Sequence, residues 1–407
     1  MLSRGIRGVG TGLLLAVLLA ACTTGRRAQP PPPSTPAPTS SAQAAPASRP
    51  EQPTARPVGW FTLAATGDLL VHDAVAARAR RYGTKTGTAY DFHPMLAPVR
   101  GALTAVDLAV CHLETPLAAD DRHVSGYPTF NAPPELADAI HATGYDSCSV
   151  ASNHAMDQGP RGVGATLGAL DRVGVAHAGT ARSAAEATRP EIHVVNGVPV
   201  GLLAYTYGLN GGDTRPAGQP WLVNLISPRR ILADAHATKR AGAQFLAVSL
   251  HWGTQYQVAP TAWQRALART LLASPDIDLL IGSHAHVVQP VQRIGDKYVL
   301  YGLGNFLSNQ SPRCCPPATQ DGVIALVDVQ RRGDRLVAVR VRYTPTWVEP
   351  STYRVLPVAA ALDDPATPAR KRAALTASWR RTVAALSLLG RTAGAAQPDR
   401  QPRFVTD

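Results

Sequence analysis

Short apolar runs that favour β-strands alternate along most of this chain with longer segments of helical periodicity. The first run begins at Phe61, and others follow as far as Gly282. Strands that alternate with helices are typical of a largely parallel sheet covered by helices. Hairpin signals at Asn196-Gly197, Gly295-Asp296 and Arg332-Gly333-Asp334 predict a second, more antiparallel part. Two sheets face to face, with helices outside, accommodate both patterns.

Polar and ionisable residues come directly after five of the predicted strands. The carboxyl ends of parallel strands form one rim, so we expect side chains from different strands to meet there. Gly67 is expected to allow a sharp turn that aims Asp68 into this rim. The five clusters are Thr66-Gly67-Asp68, Cys111-His112-Leu113-Glu114-Thr115-Pro116, Ser152-Asn153-His154-Ala155-Met156-Asp157-Gln158-Gly159, Ser249-Leu250-His251-Trp252-Gly253 and Gly282-Ser283-His284-Ala285-His286.

Imidazole and oxygen ligands gathered at one rim indicate a metal site. If the segment from His284 to His286 is extended, both rings point to the same side and reach metals in one cleft. Five such clusters predict a dinuclear site for divalent Zn, Mn or Fe. The alternative is five unrelated turns in a binding protein, because a lone Gly-Asp or Asn-His pair serves equally well in a cap or a turn.

The order of these residues resembles the calcineurin-like metallophosphoesterases, and the particular motifs resemble the CapA-type capsule-synthesis (poly-gamma-glutamate biosynthesis) family. The resemblance covers roughly Thr62 to Asp328. It implies an α/β fold, a four-layer αββα sandwich of the metallophosphatase type with two facing mixed sheets. The matching motifs are Leu113-Glu114-Thr115-Pro116, Asn153-His154-Ala155-Met156-Asp157-Gln158-Gly159, His251-Trp252-Gly253, His284-Ala285-His286-Val287-Val288-Gln289 and Leu303-Gly304-Asn305-Phe306.

The resemblance also implies roles for individual residues. His154 would protonate a leaving group, with Asp157 as the second member of the catalytic set. For Trp252 and Tyr256, the two aromatic residues of the substrate pocket given below, core packing is the alternative. The implied metal ligands are Glu114 as bridging carboxylate, Asp68 and His286 at one ion, and Asn153, His251 and His284 at the other. The implied substrate pocket comprises His72, Trp252, Gln255, Tyr256, Gln289 and Asn305.

The chain departs from the phosphatase pattern at the first metal. Where an Asp-x-His would supply a second imidazole, the sequence is Asp68-Leu69-Leu70. His72 is close enough in sequence to compensate, although a surface or core histidine at the start of the next helix is an equal alternative. The site with Asn153 is therefore expected to fill first. In the capsule family the His-Trp-Gly motif commonly continues to a glutamate, and Gln255 in that place argues against an acid or base there.

The N-terminal 21 residues have the pattern of a lipoprotein signal peptide. Arg4 and Arg7 precede a short apolar run that ends Leu19-Ala20-Ala21-Cys22. This predicts an acylated Cys22 and an extracytoplasmic protein held to the cell membrane by its lipid; an ordinary secretory peptide is the alternative. Residues 22–58 form a Pro/Ala/Ser-rich linker, residues 59–361 the predicted domain, and residues 362–407 a basic Ala/Arg-rich tail.

Composition narrows the partners. A formal net charge of +12 suits an anionic envelope polymer, whereas export and the absence of an aromatic-studded basic stretch argue against nucleic acid. Much of the positive charge lies in the tail, where a solvated face is the simpler interpretation. Cys111 and Cys148 lie in apolar strands and are expected to be buried thiols, while the partners of Cys314 and Cys315 are left open.

Three functions stay open at this level. The first is a metal-dependent hydrolase or processing protein for poly-gamma-glutamate or a related polymer, acting alone or with a membrane synthase complex. The second is a non-catalytic, polymer-binding accessory subunit, which the missing ligand favours. The third is a CapA-like peptide epimerase that uses the same histidines and carboxylates as acid and base. The fold alone does not choose between phosphoester and amide substrates.

Overall fold

A computed structural model describes residues 59–390 and 397–400. The predicted signal peptide, Cys22, the linker and parts of the tail lie outside the described residues. The strands are β1 Trp60–Leu69, β2 Leu108–Leu113, β3 Ser147–Ser149, β4 Ala176–Ala178, β5 Glu191–Val195, β6 Val198–Thr206, β7 Phe245–His251, β8 Leu279–Ser283, β9 Val291–Ile294, β10 Lys297–Leu300, β11 Asn305–Leu307, β12 Asp321–Arg332, β13 Arg335–Val348, β14 Val355–Pro357 and β15 Gln397–Pro398. The helices are α1 Asp73–Thr86, α2 His93–Leu96, α3 Arg100–Leu103, α4 Leu136–Thr143, α5 Gly159–Val173, α6 Ala184–Ala187, α7 Pro228–Arg240, α8 Ala262–Leu272, α9 Val358–Asp363 and α10 Ala369–Leu386.

The strands form two mixed sheets. The first has the order β14-β13-β12-β1-β2-β3-β4, with β11 beside β1 and β15 beside β13. Strands β1 to β4 run parallel, and the β12–β13–β14 side is antiparallel. The second sheet has the order β5-β6-β7-β8-β10-β9, with β6, β7, β8 and β10 parallel. Both kinds of pairing predicted from the sequence are therefore present.

The alternation of side chains along β7 shows how the sheets are layered. Phe245 faces the first sheet, and its ring lies 5.6 Å from that of Phe61 on β1. Leu246 and Val248 point the other way and pack with Leu267 of α8. Helices α1, α4 and α5 contribute buried residues to the core around the first sheet. Because each sheet buries one face against the other and one against helices, the fold is the predicted four-layer αββα sandwich.

Local sequence signals account for the element boundaries. The three predicted hairpins are confirmed, since they join β5 to β6, β9 to β10 and β12 to β13. Helix α8 begins with a capping box in which Thr261 and Gln264 satisfy each other's backbone N–H groups. Helix α5 has a proline in its first turn and ends at Gly174 in the left-handed conformation.

Cys111 and Cys148 are buried as predicted, but the prediction that they are thiols is wrong. The two residues are register partners on β2 and β3, with Cα atoms 4.5 Å apart, and they form a disulfide. Neither strand by itself specifies the other as its partner, so the pairing of the two cysteines was not predicted. Cys314 and Cys315 form a second disulfide with each other.

The helical part of the C-terminal region packs on the domain. Leu375 and Trp379 of α10 join a small core with Trp347 of β13. Some of its basic residues lie in ion pairs with domain carboxylates: Lys371 with Glu349, Arg381 with Asp321 and Arg400 with Asp363. None of the helices in the described part of the chain has the length and hydropathy of a transmembrane segment.

Candidate metal centre

The parallel strands of both sheets end at one edge, where the predicted ligands meet. Across the first sheet, Asp68 of β1 is the register partner of His112 on β2, which in turn pairs with Ser149 on β3. Across the second sheet, His251 pairs with Ser283. Gly67 does not make the sharp turn expected of it, because it lies within β1. Its lack of a side chain instead permits close approach, since a Cβ there would lie 1.9 Å from a carbonyl oxygen of Gly304.

The six implied ligands lie in one buried cluster. Nδ1 of His286 is 3.1 Å from Oδ2 of Asp68, and Nε2 of His251 is 2.7 Å from Oδ1 of Asn153. Oε1 of Glu114 lies 3.8 Å from Nε2 of both His251 and His286. Glu114 thus sits between ligands assigned to different ions, as a bridging carboxylate would. All six side chains are buried.

The two histidines of the His-x-His segment reach the cleft by a route other than the one expected. The segment is not extended: φ is 88° at His284 and 54° at His286, which places both residues in the left-handed region. Such conformations in residues other than glycine cost about 1–3 kcal/mol each and cluster at functional sites. Their occurrence at two predicted ligands directly after β8 supports a functional role for this turn.

Burial and mutual charge shape the protonation of the cluster. Burial raises the pKa of Glu114 to about 8 and lowers that of His284 to about 3 and that of His251 well below its usual range. At His286 burial opposes the charged ring, but the neighbouring carboxylates of Glu114 and Asp68 raise its pKa to about 9. His251 and His284 are therefore neutral imidazoles near pH 7, whereas Glu114 and His286 each hold a proton that a bound cation would displace. Imidazole and carboxylate donors together are typical of Zn or Fe sites.

Unsatisfied ligand atoms test whether these residues fit a metal. Among the described residues, both carboxylate oxygens of Glu114 and Nδ1 of His284 are buried without a hydrogen-bond partner. Buried polar atoms are nearly always paired, so such orphans indicate a missing partner. Two triplets have ligand atoms within 4.8 Å of one another: Asp68, His112 and His251, and Glu114, His284 and His286. The residues fit divalent metal ions, while their division between two ions stays a prediction.

His112 is the member of this cluster that the sequence analysis did not assign. It is buried on β2, and burial lowers the pKa of its ring to about 4. The available signal was its position two residues before Glu114, because residues i and i+2 of an extended segment share a face.

A second group of residues surrounds the predicted acid. Nδ1 of His154 lies 2.8 Å from Oδ2 of Asp157, which also accepts a hydrogen bond from the backbone of Phe130. Asn210, in the loop after β6, accepts a hydrogen bond at 2.9 Å from Nδ2 of Asn153 and contacts the His154 ring. Because the amide nitrogen of Asn153 is occupied in this way, its oxygen faces the cluster of predicted ligands. The sequence analysis missed Asn210, which follows no recognised motif.

A cavity of about 830 Å³ opens onto this cluster. Of the predicted pocket residues, His72, Gln255 and Tyr256 line it, as do His154, Asp157 and His286. The assignment of Trp252 is wrong: it is fully buried behind the sheet, stacks on Tyr301 and donates to its carbonyl oxygen. Gln289 and Asn305 are also buried away from the cavity; Gln289 bonds Gln264, and Asn305 contacts Nδ1 of His286 at 3.1 Å.

The mouth of the cavity carries aromatic residues and a disulfide. Tyr127 and Tyr256 are exposed there, and Phe130 packs edge-on against His154. The Cys314–Cys315 disulfide lines the same cavity, with Sγ of Cys315 4.0 Å from the hydroxyl of Tyr256. The described lining contains no lysine or arginine. Among the residues that line the cavity, positive charge is therefore limited to the imidazoles.

A protein-family comparison matches residues 62–310 to the family described as bacterial capsule synthesis protein PGA_cap. This range includes every implied metal ligand and the predicted acid. The segment 311–390, with β12, β13 and α10, lies beyond the match.

Individual relatives give the same direction. The capsule biosynthesis protein CapA of Bacillus anthracis is 25% identical over 257 residues, which are 61% of this chain and 60% of that protein. The PGA biosynthesis protein CapA of Bacillus subtilis is 30% identical over 161 residues, 39% of this chain and 42% of that protein. The chain thus aligns with 60% or less of the length of these two relatives.

Solved structures with a similar fold are more distant. A 5′-nucleotidase precursor from Thermus thermophilus shares 16% identity and a TM-score of 0.45, covering 80% of this chain and 59% of that one. The calcineurin-like phosphoesterase YfkN from Bacillus subtilis shares 14% identity and a TM-score of 0.38, covering 71% of this chain and 91% of that one. At this level of likeness they carry no information about activity.

Proposed function

Because the chain belongs to the bacterial capsule synthesis protein PGA_cap family, we propose that it processes poly-gamma-glutamate or a related envelope polymer as a divalent-metal-dependent hydrolase. The observation that carries this proposal is the convergence of the six implied ligands at one sheet edge, with buried ligand atoms that lack partners. These unpaired atoms support bound metal, which a hydrolase of this kind requires.

The residues of the site form two groups: the cluster of predicted metal ligands, and the residues around His154 that would transfer a proton. Divalent ions held by the cluster would supply Lewis-acid activation of water and of the bond to be cleaved. In the second group, Nδ1 of His154 lies 2.8 Å from the carboxylate of Asp157, which favours the tautomer with a proton on Nδ1 and fixes the ring. Nε2 is then the nitrogen that carries a proton to the leaving group. Phe130 packs edge-on against this ring and limits its movement.

The cavity suits an extended, polar polymer. Its volume of about 830 Å³ lies within the range of sites that bury most of a small organic ligand. Tyrosine, asparagine and glutamine side chains line it and can contact amide groups of a polypeptide-like chain. The net charge of +12 attracts a polyanion over longer distances, while the cavity itself recognises the chain without lysine or arginine.

The proposed site of action is outside the cytoplasm, at the membrane surface. The lipoprotein pattern that ends at Cys22 supports this location. The Cys111–Cys148 and Cys314–Cys315 disulfides also support it, because such bonds persist in oxidising compartments. Mass spectrometry of membrane-extracted protein should find a diacylglycerol-modified Cys22 as the N-terminus, and an unmodified, freely secreted chain would contradict this.

The activity can be tested on poly-gamma-glutamate directly. Full-length protein in detergent, supplied with Zn or Mn, should shorten the polymer and release new amino groups. His154→Ala should reduce this release at least about 100-fold, because a positioned acid contributes roughly that much, while polymer binding is kept. Binding without cleavage by the wild-type protein would instead support the accessory-subunit function.

A further inference from the structure

His112 is held within the cluster of predicted ligands in the same way as His251, which is one of them. Its Nδ1 lies 2.8 Å from Oγ of Ser149, its register partner on β3. His251 has the matching arrangement in the other sheet, where Nδ1 lies 3.0 Å from Oγ of its register partner Ser283. The two imidazole rings stack with centroids 4.8 Å apart. A serine hydroxyl on the adjacent strand therefore orients each ring from behind.

The hydrogen bond at Nδ1 leaves the other nitrogen of His112 free for a ligand. The hydroxyl of Ser149 donates to the carbonyl oxygen of Cys111 at 3.3 Å, so its oxygen accepts the Nδ1 proton. The ring is then the tautomer with a lone pair on Nε2. That atom is buried and has no hydrogen-bond partner among the described residues. A histidine that only filled space in the core would leave this lone pair unsatisfied.

The other candidate for the missing imidazole, His72, is placed differently. Its ring is partly exposed at the cavity, with Nδ1 3.2 Å from the carbonyl oxygen of Leu70 and an edge-on contact with Phe130. It is not a member of either ligand triplet. Leu70, which stands where the phosphatase pattern has its second imidazole, offers no ligand atom.

We propose that Nε2 of His112 is a metal ligand and, with Asp68 and His251, holds a divalent transition-metal ion. This grouping differs from the division implied by the resemblance, because it places His251 with Asp68 and not with Asn153. The imidazole missing from β1 is thereby supplied by β2, the neighbouring strand. Ser149 is a positioning residue that fixes the tautomer and orientation of this ligand. The inference rests on the proposed metal function, and it gives the ion at Asp68 three protein ligands, which weakens the argument for an accessory role.

Metal binding by full-length, chelator-treated protein tests the assignment without an activity assay. Titration calorimetry with Zn, and absorption spectra with Co in its place, should show two bound ions in the wild type. His112→Gln should lose one ion or weaken its binding at least about 100-fold, and Ser149→Ala should weaken the same step about 10- to 100-fold. His72→Ala is the comparison variant and should bind as the wild type does.

The outcomes separate the two proposals. Wild-type binding in both His112→Gln and Ser149→Ala would overturn the role of His112, as would loss of one ion in His72→Ala alone. If circular dichroism shows that His112→Gln does not fold, Ser149→Ala decides, since it leaves the imidazole in place. A wild type that binds no metal would overturn both proposals. A wild type that binds two ions but cleaves no polymer would overturn only the hydrolase activity.

Discussion

The Cys111–Cys148 disulfide ties together the two strands that carry His112 and Ser149, and its contribution to stability can be worked out from the structure. It joins register partners of β2 and β3 across a sequence separation of 37. Closing a loop of this length restricts the unfolded chain by about 4 kcal/mol at 25 °C in the chain-entropy model. We therefore expect reduction to lower the free energy of unfolding by about 3–4 kcal/mol.

A Cys314→Ser/Cys315→Ser background removes the second disulfide, so reductant then acts only on the Cys111–Cys148 bond. The second disulfide, at a sequence separation of 1, closes almost no loop, so its removal should cost little stability. Urea denaturation followed by far-UV circular dichroism, with and without reductant, gives the difference in unfolding free energy. Adding Cys111→Ala/Cys148→Ala to the same background should abolish the effect of reductant. A loss below about 1 kcal/mol on complete reduction would refute the reasoning.

Three further predictions concern the site and its surroundings. Asn210→Ala should weaken metal binding about 10- to 100-fold by calorimetry, since it removes the acceptor that orients the amide of Asn153. Arg381→Met should cost about 3 kcal/mol near neutral pH, because it leaves the buried carboxylate of Asp321 unpaired. Burial already raises the pKa of Asp321 to about 6 in the folded protein. As the pH falls, this carboxylate is therefore protonated in the folded protein before it is protonated in the unfolded chain. The cost should therefore shrink as the pH falls from 7 to 5 in urea denaturation, and an equal cost at both would contradict this. Chelator should lower the Tm because it removes bound metal. Metal added back at 100 times its Kd should raise the free energy of unfolding by about 2.7 kcal/mol.

The sequence by itself determined the layered fold and the position of most of the candidate site. Strand propensity, helical periodicity and turn residues act over a few neighbouring positions, so the hairpin at Asn196-Gly197 follows from local pattern. Residues at strand ends were predicted to meet because parallel strands share an edge. Asp68, Glu114 and His251 were predicted to lie together for this reason, and they do.

Only the tertiary structure decided which residues lie next to each other on neighbouring strands. The pairing of Cys111 with Cys148, and of His112 with Ser149, depends on strand register, which no local pattern in either strand specifies. Trp252 follows the predicted ligand His251 by one position, and in a strand end that places its side chain on the opposite face, in the core. Our proposal of His112 over His72 for the missing imidazole has the same origin: His112, a neighbour in space on the next strand, belongs to a candidate ligand triplet, and His72, a neighbour in sequence, does not.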